Sequence, residues 1–234
     1  MLATVTLTYN RFEALRRCID AIRKHGGVDQ IIVVDNHSTD DTYPWLAEQD
    51  DVLVVRTPKN LGVTARNYGF DLVGDSVHWV AQIDDDVVIR PGGLHTMIGE
   101  ITKNPDGIAT GQQGGYVGDF SILEGTRGLP PGTPVDMLTG FCWMIGKGRL
   151  EAKFDIRWRD VRYDEDFGMR WHEETDLQCA LRSATRQQGK LLVCPPVADH
   201  TRLAGAIDWD LHDRNLDRVR MKWKATISSE KGGG

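Results

Sequence analysis

The first residues alternate in polarity. Ala3-Thr4-Val5-Thr6-Leu7-Thr8-Tyr9 is β-branched with a period of two, which predicts a strand. Asn10 can then cap a helix in which Phe12, Leu15, Ile19 and Ile22 recur at helical spacing, and Gly26-Gly27 ends it. The continuous apolar run 30–34 predicts a strand covered on both faces, stopping at the polar loop 35–42, which contains a helix start. A short helix with Trp45 and Leu46, a strand over 52–55, a turn at Asn60-Leu61-Gly62 and a helix through Ala65, Arg66, Asn67 and Phe70 follow. The apolar run 77–83 then closes on Asp84-Asp85-Asp86, with Val87-Val88-Ile89 beyond and Pro91-Gly92-Gly93 as a turn.

Strands alternating with helices predict a parallel α/β sheet built by right-handed crossovers. Ligands bind such sheets beyond the carboxyl ends of the strands. Thr8 to Asn10, Asp35 to Asp40 and Asp84 to Asp86 all stand at such ends, so the pattern draws these polar residues to one edge. The second half is less regular. A helix over 93–102 and a strand at 108–110 lead into Gly- and Pro-rich sequence through Pro134, expected as hairpin and functional loop; a strand is expected over 138–145. Glu173-Glu174-Thr175-Asp176 opens a helix with Leu177, Ala180 and Leu181 on its apolar face, Leu191-Leu192-Val193 forms a strand, and a last helix over 208–224 carries Leu211, Leu216, Val219 and Trp223 on one side.

A chain of 234 residues holds one large domain with a sizeable core, and a formal charge of −6 argues against general nucleic-acid binding. Cys18, Cys142, Cys179 and Cys194 include no CxxC pair, which disfavours a zinc site or a disulfide framework and fits a reducing compartment. No apolar run approaches the ~20 residues of a membrane span, so a cytoplasmic location is expected, with peripheral membrane contact through the cationic last helix as the sharper alternative to its docking on the domain.

Crowded carboxylates resist joint ionisation unless a cation lies between them. If strand geometry persists, Asp84 and Asp86 point together and Asp85 points away, and a divalent ion bridging substrate phosphates suits such a pair.

Thr6-Leu7-Thr8-Tyr9-Asn10-Arg11, the segment 32–42, Asn60-Leu61-Gly62 with Ala65-Arg66-Asn67, and Ile83-Asp84-Asp85-Asp86 together resemble the family 2 glycosyltransferases of the GT-A fold across roughly residues 3–200. Asp136 to Gly140 is similar to the loop before that family's acceptor region, and His172 to Leu177 to its acidic helix start. The resemblance implies a Rossmann-like, mostly parallel central sheet flanked by helices, with a smaller acceptor-side subregion. It also implies transfer of a sugar from a nucleotide-diphosphate donor, most commonly a UDP-sugar, to an acceptor hydroxyl with inversion. Carried over by position, Thr8, Tyr9, Asn10, Asp35 and Arg66 would hold the nucleotide, Gly62 would leave room for the base, and Asp85 would touch the ribose. Asp86 with Asp84 would bind Mn2+ or Mg2+, and His200 would be a third ligand or a phosphate contact. Glu174 would be the general base, where the family more often has Asp, which leaves Glu173 and Asp176 open. Gly140 would allow close backbone approach to the sugar or serve as a plain turn glycine.

The expected organisation is a single GT-A domain over 1–224, with a nucleotide-binding half at 1–105, an acceptor half at 106–205, the last helix at 206–224 and a disordered tail at 225–234. A nucleotidyltransferase would want a Gly-rich basic loop after the first strand, which Thr8 to Arg11 does not supply. A retaining GT-A transferase and an inactive nucleotide-sugar-binding module remain as alternatives. The acceptor, whether glycan, lipid-linked, small molecule or protein, is not legible.

Overall fold

A computed structural model describes residues 1–112, 116–117, 124–125, 128–167, 173–200 and 209–228. The first half follows the expected alternation: β1 (Leu2–Thr8), α1 (Phe12–His25), β2 (Gln30–Asp35), α2 (Thr42–Leu46), β3 (Val52–Arg56), α3 (Arg66–Asp71), β4 (Trp79–Asp84), β5 (Val87–Ile89) and α4 (Gly93–Lys103). There follow β6 (Gly107–Gln112), the short pair β7 (Tyr116–Val117) and β8 (Glu124–Gly125), β9 (Pro134–Val135), β10 (Cys142–Ile145), α5 (Lys147–Phe154), α6 (Glu173–Ala184), β11 (Lys190–Cys194), β12 (Ala198–His200) and α7 (Trp209–Ser228).

Eight strands form one sheet in the order β3-β2-β1-β4-β10-β6-β11-β9. The β3-β2-β1-β4 half is parallel, β10 runs antiparallel to both β4 and β6, and β11 returns parallel to β6. One face packs Leu15, Ile19 and Ile22 of α1 with Leu94, Met97 and Ile101 of α4. The other carries Phe70 of α3, Leu150 of α5 and Leu177 and Leu181 of α6. Both faces are covered, which is why β1, β2 and β4 read as near-continuous apolar runs.

Three local expectations change. The helix cap falls on Arg11; Asn10 instead adopts φ 53° and its Oδ1 accepts the Thr39 N–H at 2.7 Å, because an Asn tolerates the left-handed region and can satisfy a neighbouring loop from there. The strand expected from residue 138 begins only at Cys142, since the Leu138 N–H donates to Gln178 Oε1 at 2.7 Å and the Leu138 carbonyl accepts from Gln178 Nε2, so its backbone is satisfied by a side chain of α6. The last helix runs on to Ser228, into the stretch expected as tail. Much of the expected loop between Gly111 and Pro134 lies outside the described residues, as does His172.

Helix α7 lies on α6, with Leu216 and Val219 against Met137 and Cys179 and with Trp223 beside them. Among the described residues no helix is long and apolar enough to cross a membrane.

Candidate active site

Sheet register aligns the polar strand ends. Thr8 stands opposite Asp35, and Leu7 opposite Asp84, so the loops after β1, β2 and β4 open on one edge. Beyond β4 the chain turns through Asp85 and Asp86 and re-enters as β5, whose antiparallel partner β12 sets His200 opposite Val87. That pairing delivers a residue 114 positions downstream to the acidic run.

The three aspartates take different environments. Asp85 is buried; its carboxylate accepts from Thr8 Oγ1 at 2.9 Å and from Arg11 Nη1 at 3.0 Å. Burial, helped by Asp84, outweighs those two partners and pushes its pKa up to about 6. Asp86 receives Arg11 Nη1 at 3.3 Å and His200 Nε2 at 3.1 Å. Burial opposes its charge, but the His200 hydrogen bond and the His200 and Arg11 charges prevail and hold it below the usual carboxylate range. Asp84 is the most open of the three, its side chain 33% exposed, and pairs with Arg66. His200 is held in place by stacking on Phe141, ring centroids 4.7 Å apart and planes 11° off parallel.

Asp84, Asp86 and His200 each offer a ligand atom, all within 4.8 Å of one another. Two carboxylates and an imidazole suit Mn2+ or Mg2+ by charge and hardness, with open positions left for phosphate oxygens. The donor set therefore fits the expected cation. The alternation expected of Asp84, Asp85 and Asp86 does not persist: β4 ends at Asp84, the chain turns at Asp85 and Asp86, and both of these carboxylates meet Arg11 Nη1.

The loops after β2 and β3 are tightly built. Asn36 donates to Gly62 O at 3.1 Å and to Asn60 Oδ1 at 2.9 Å while accepting from Leu61 N, which fixes the Asn60-Leu61-Gly62 turn. Gly62 has φ +65°, so the turn itself demands glycine there. Asp35 is fully buried, accepting the Ser38 N–H at 3.1 Å and standing 3.3 Å from Arg56 Nε. Arg56 also donates to Ser38 O at 2.7 Å and lies over the Tyr43 ring at 4.3 Å. Tyr9 is exposed at this edge.

Arg66, expected as a nucleotide contact, opens α3 and lies beside the acidic run. Its side chain is 3% exposed, and it pairs with Asp84 on one side and with Glu174 Oε1 at 3.2 Å on the other. Glu174, in the first turn of α6, is thereby drawn to the acidic run. Burial raises its pKa and Asp84 adds to the rise, against the lowering pull of Arg66. Gly140 packs against it so closely that a Cβ at this position would lie only 2.9 Å from Glu174 Cδ and Cγ. Asp176 points elsewhere, accepting Lys222 Nζ at 2.9 Å and Trp223 Nε1 at 2.7 Å from α7. Glu173 is buried at the helix start.

The residues that reasoning from sequence leaves without a role are Arg11, Asn36, Arg56 and Phe141. Arg11 and Asn36 sit inside the quoted motifs, while nothing in residue type or spacing marks Phe141 as the stacking partner of His200.

The glycosyl transferase family 2 model matches residues 4–145, more than half of the chain. The chain belongs to glycosyl transferase family 2. The part of this family 2 chain that carries the acidic run, β10 and the loops after β1, β2 and β3 lies within the match. A glucosyl-dolichyl phosphate glucuronosyltransferase of Haloferax volcanii is 28% identical over 116 residues, which is 47% of this chain and 36% of that protein. Two solved structures share the fold: GalNAc-T7 with UDP, GalNAc and Mn2+ (TM-score 0.72, 15% identity, 95% of this chain and 48% of that one) and the mannosyltransferase PcManGT from Pyrobaculum calidifontis in complex with GDP-Man and Mn2+ (TM-score 0.70, 14% identity, 98% and 68%). The family 2 chain thus has the GT-A fold, and it spans about a third of the length of its curated relative.

Proposed function

We propose that this chain transfers a sugar from a nucleotide-diphosphate donor, a UDP-sugar first among the candidates, to an acceptor hydroxyl with inversion. The observation that carries the reading is the meeting of two unlike acidic sets at one sheet edge: the Asp84, Asp86 and His200 group, and Glu174 with a raised pKa, linked through Arg66. Family membership and the nucleotide and Mn2+ named for the two structural neighbours support it.

In this reading Asp84, Asp86 and His200 hold Mn2+ or Mg2+, which when bound offsets the negative charge that grows on the departing diphosphate. Thr8 and Arg11 fix Asp85 toward the ribose. The loops carrying Tyr9, Asn10, Asp35 and Gly62 form the base site. The acceptor oxygen forms a bond to the anomeric carbon as the bond from that carbon to the diphosphate oxygen breaks, its electron pair leaving with the nucleotide. The hydroxyl proton passes to the Glu174 carboxylate, on the side opposite the leaving group.

Of the acceptor classes, a lipid-linked sugar is the first to test, because the Haloferax volcanii relative is named for a dolichyl phosphate substrate. Incubation with UDP-sugars and Mn2+, followed by proton NMR of the product's anomeric coupling, tests the reaction: inversion supports Glu174 as base, and retention contradicts it.

A further inference from the structure

Arg66 stands in a motif that suggested a nucleotide contact, yet the structure buries it between two carboxylates with different duties. Nη2 meets Asp84 Oδ1 and Nη1 meets Glu174 Oε1 at 3.2 Å. A planar fork of fixed geometry suits such a bridge, since both carboxylates are then held at set angles. The guanidinium is itself held from below. Gln82, fully buried at the end of β4, has three donors around its amide. With the amide oxygen turned toward them it accepts from Arg66 Nη1 at 2.9 Å, Trp143 Nε1 at 2.7 Å and Tyr163 Oη at 2.7 Å. That orientation leaves each donor satisfied, which is the basis on which amide direction is assigned. Trp143 and Tyr163 are buried too, so the arginine rests on a rigid polar floor. Gly140 packs against Glu174 as well, where any side chain would meet the carboxyl carbon.

We propose that Arg66 is a positioning residue that ties the acceptor-side glutamate to the cation-side aspartate. The proposal rests on the transferase reading of the site. It holds one oxygen of Glu174 and one of Asp84, so any cation that draws on Asp84 changes the hold on Glu174. Occupancy of the donor side is thereby transmitted to the base through a single guanidinium. A nucleotide ligand at this position would instead need an exposed guanidinium free to reach the base loop, and a merely structural arginine would not respond to donor.

The test uses the full chain labelled with 13C-glutamate, the Glu174 side-chain carboxyl resonance being assigned from its loss in Glu174→Gln. It is recorded alone and with Mg2+ and UDP, for the native chain, Arg66→Met and Arg66→Lys, with UDP affinity measured by calorimetry in parallel. The expected result is that the native Glu174 resonance moves on adding Mg2+ and UDP. In Arg66→Met it is displaced in the free protein and no longer responds, while UDP still binds. Arg66→Lys, which keeps the charge but not the fork, gives an intermediate displacement and serves if the Met variant does not fold. Loss of UDP binding with an unmoved Glu174 resonance would overturn the proposal and make Arg66 a nucleotide ligand, as would equal responses in native and variant chains. Failure of the native chain to bind UDP, GDP or dTDP would count against the transferase reading. The free-protein displacement still decides whether Arg66 sets the glutamate.

Discussion

A glutamate that takes a proton from an acceptor must be ionised first, and Glu174 is placed where ionisation is resisted. Burial and the nearby Asp84 raise its pKa, and Arg66 restrains the rise. Because the base form is the deprotonated one, activity is expected to fall as pH drops through that raised value, so the acid limb of kcat/KM lies above the ~4.3 of an ordinary glutamate. Glu174→Gln removes the proposed base without changing size, and transfer is expected to drop by about a hundredfold or more while UDP binding persists; rate assays beside calorimetry check both. Gly140→Ala is a steric version of the same experiment. Its Cβ meets Glu174 Cδ at 2.9 Å, so the carboxylate must swing, and a loss of about tenfold or more in kcat with unchanged nucleotide affinity is expected. At this scale the sequence carried the acids and their spacing, but not their partners. That Arg66 bridges Asp84 to Glu174 requires two elements 108 positions apart to meet, and no local pattern announces it.

At the scale of elements, Asp176 belongs to the fastening of α7. Lys222 Nζ and Trp223 Nε1 both reach its buried carboxylate, and Lys222 also reaches Asp164 at 2.7 Å. Asp176→Ala leaves the Trp223 N–H and the Lys222 charge without that partner, a loss of about 1–3 kcal/mol expected in chemical denaturation, with UDP binding kept. Helix α3 offers a second check. Gly69 lies so close to the sheet that a Cβ would stand 2.6 Å from Val5 Cγ1 and 2.9 Å from Val34 Cγ2, so Gly69→Ala is expected to destabilise by about 1–3 kcal/mol. Periodicity located α1, α4, α6 and the parallel strands because one face or both faces of each are buried. It failed at Leu138, where a side chain of α6 replaces a ladder partner, and it missed α5, whose Leu150 is its one buried apolar residue.

For the molecule as a whole, the parallel half was legible because β1, β2 and β3 are joined by helical crossovers and lie side by side in chain order, with β4 returning to the other side of β1. The other half was not, since β10 inserts antiparallel beside β4 and β12 pairs with β5 across more than a hundred residues. Those long-range pairings complete the candidate cation site by bringing Phe141 and His200 to the acidic run. Whether this edge is a metal-dependent nucleotide-sugar site is tested most directly by calorimetry of UDP, GDP and dTDP with and without Mn2+, on the native chain and on Asp86→Asn. The expected result is binding of one nucleotide that needs both the metal and Asp86. Absence of binding by any of the three to folded native protein, or binding indifferent to Mn2+ and to Asp86, would contradict it.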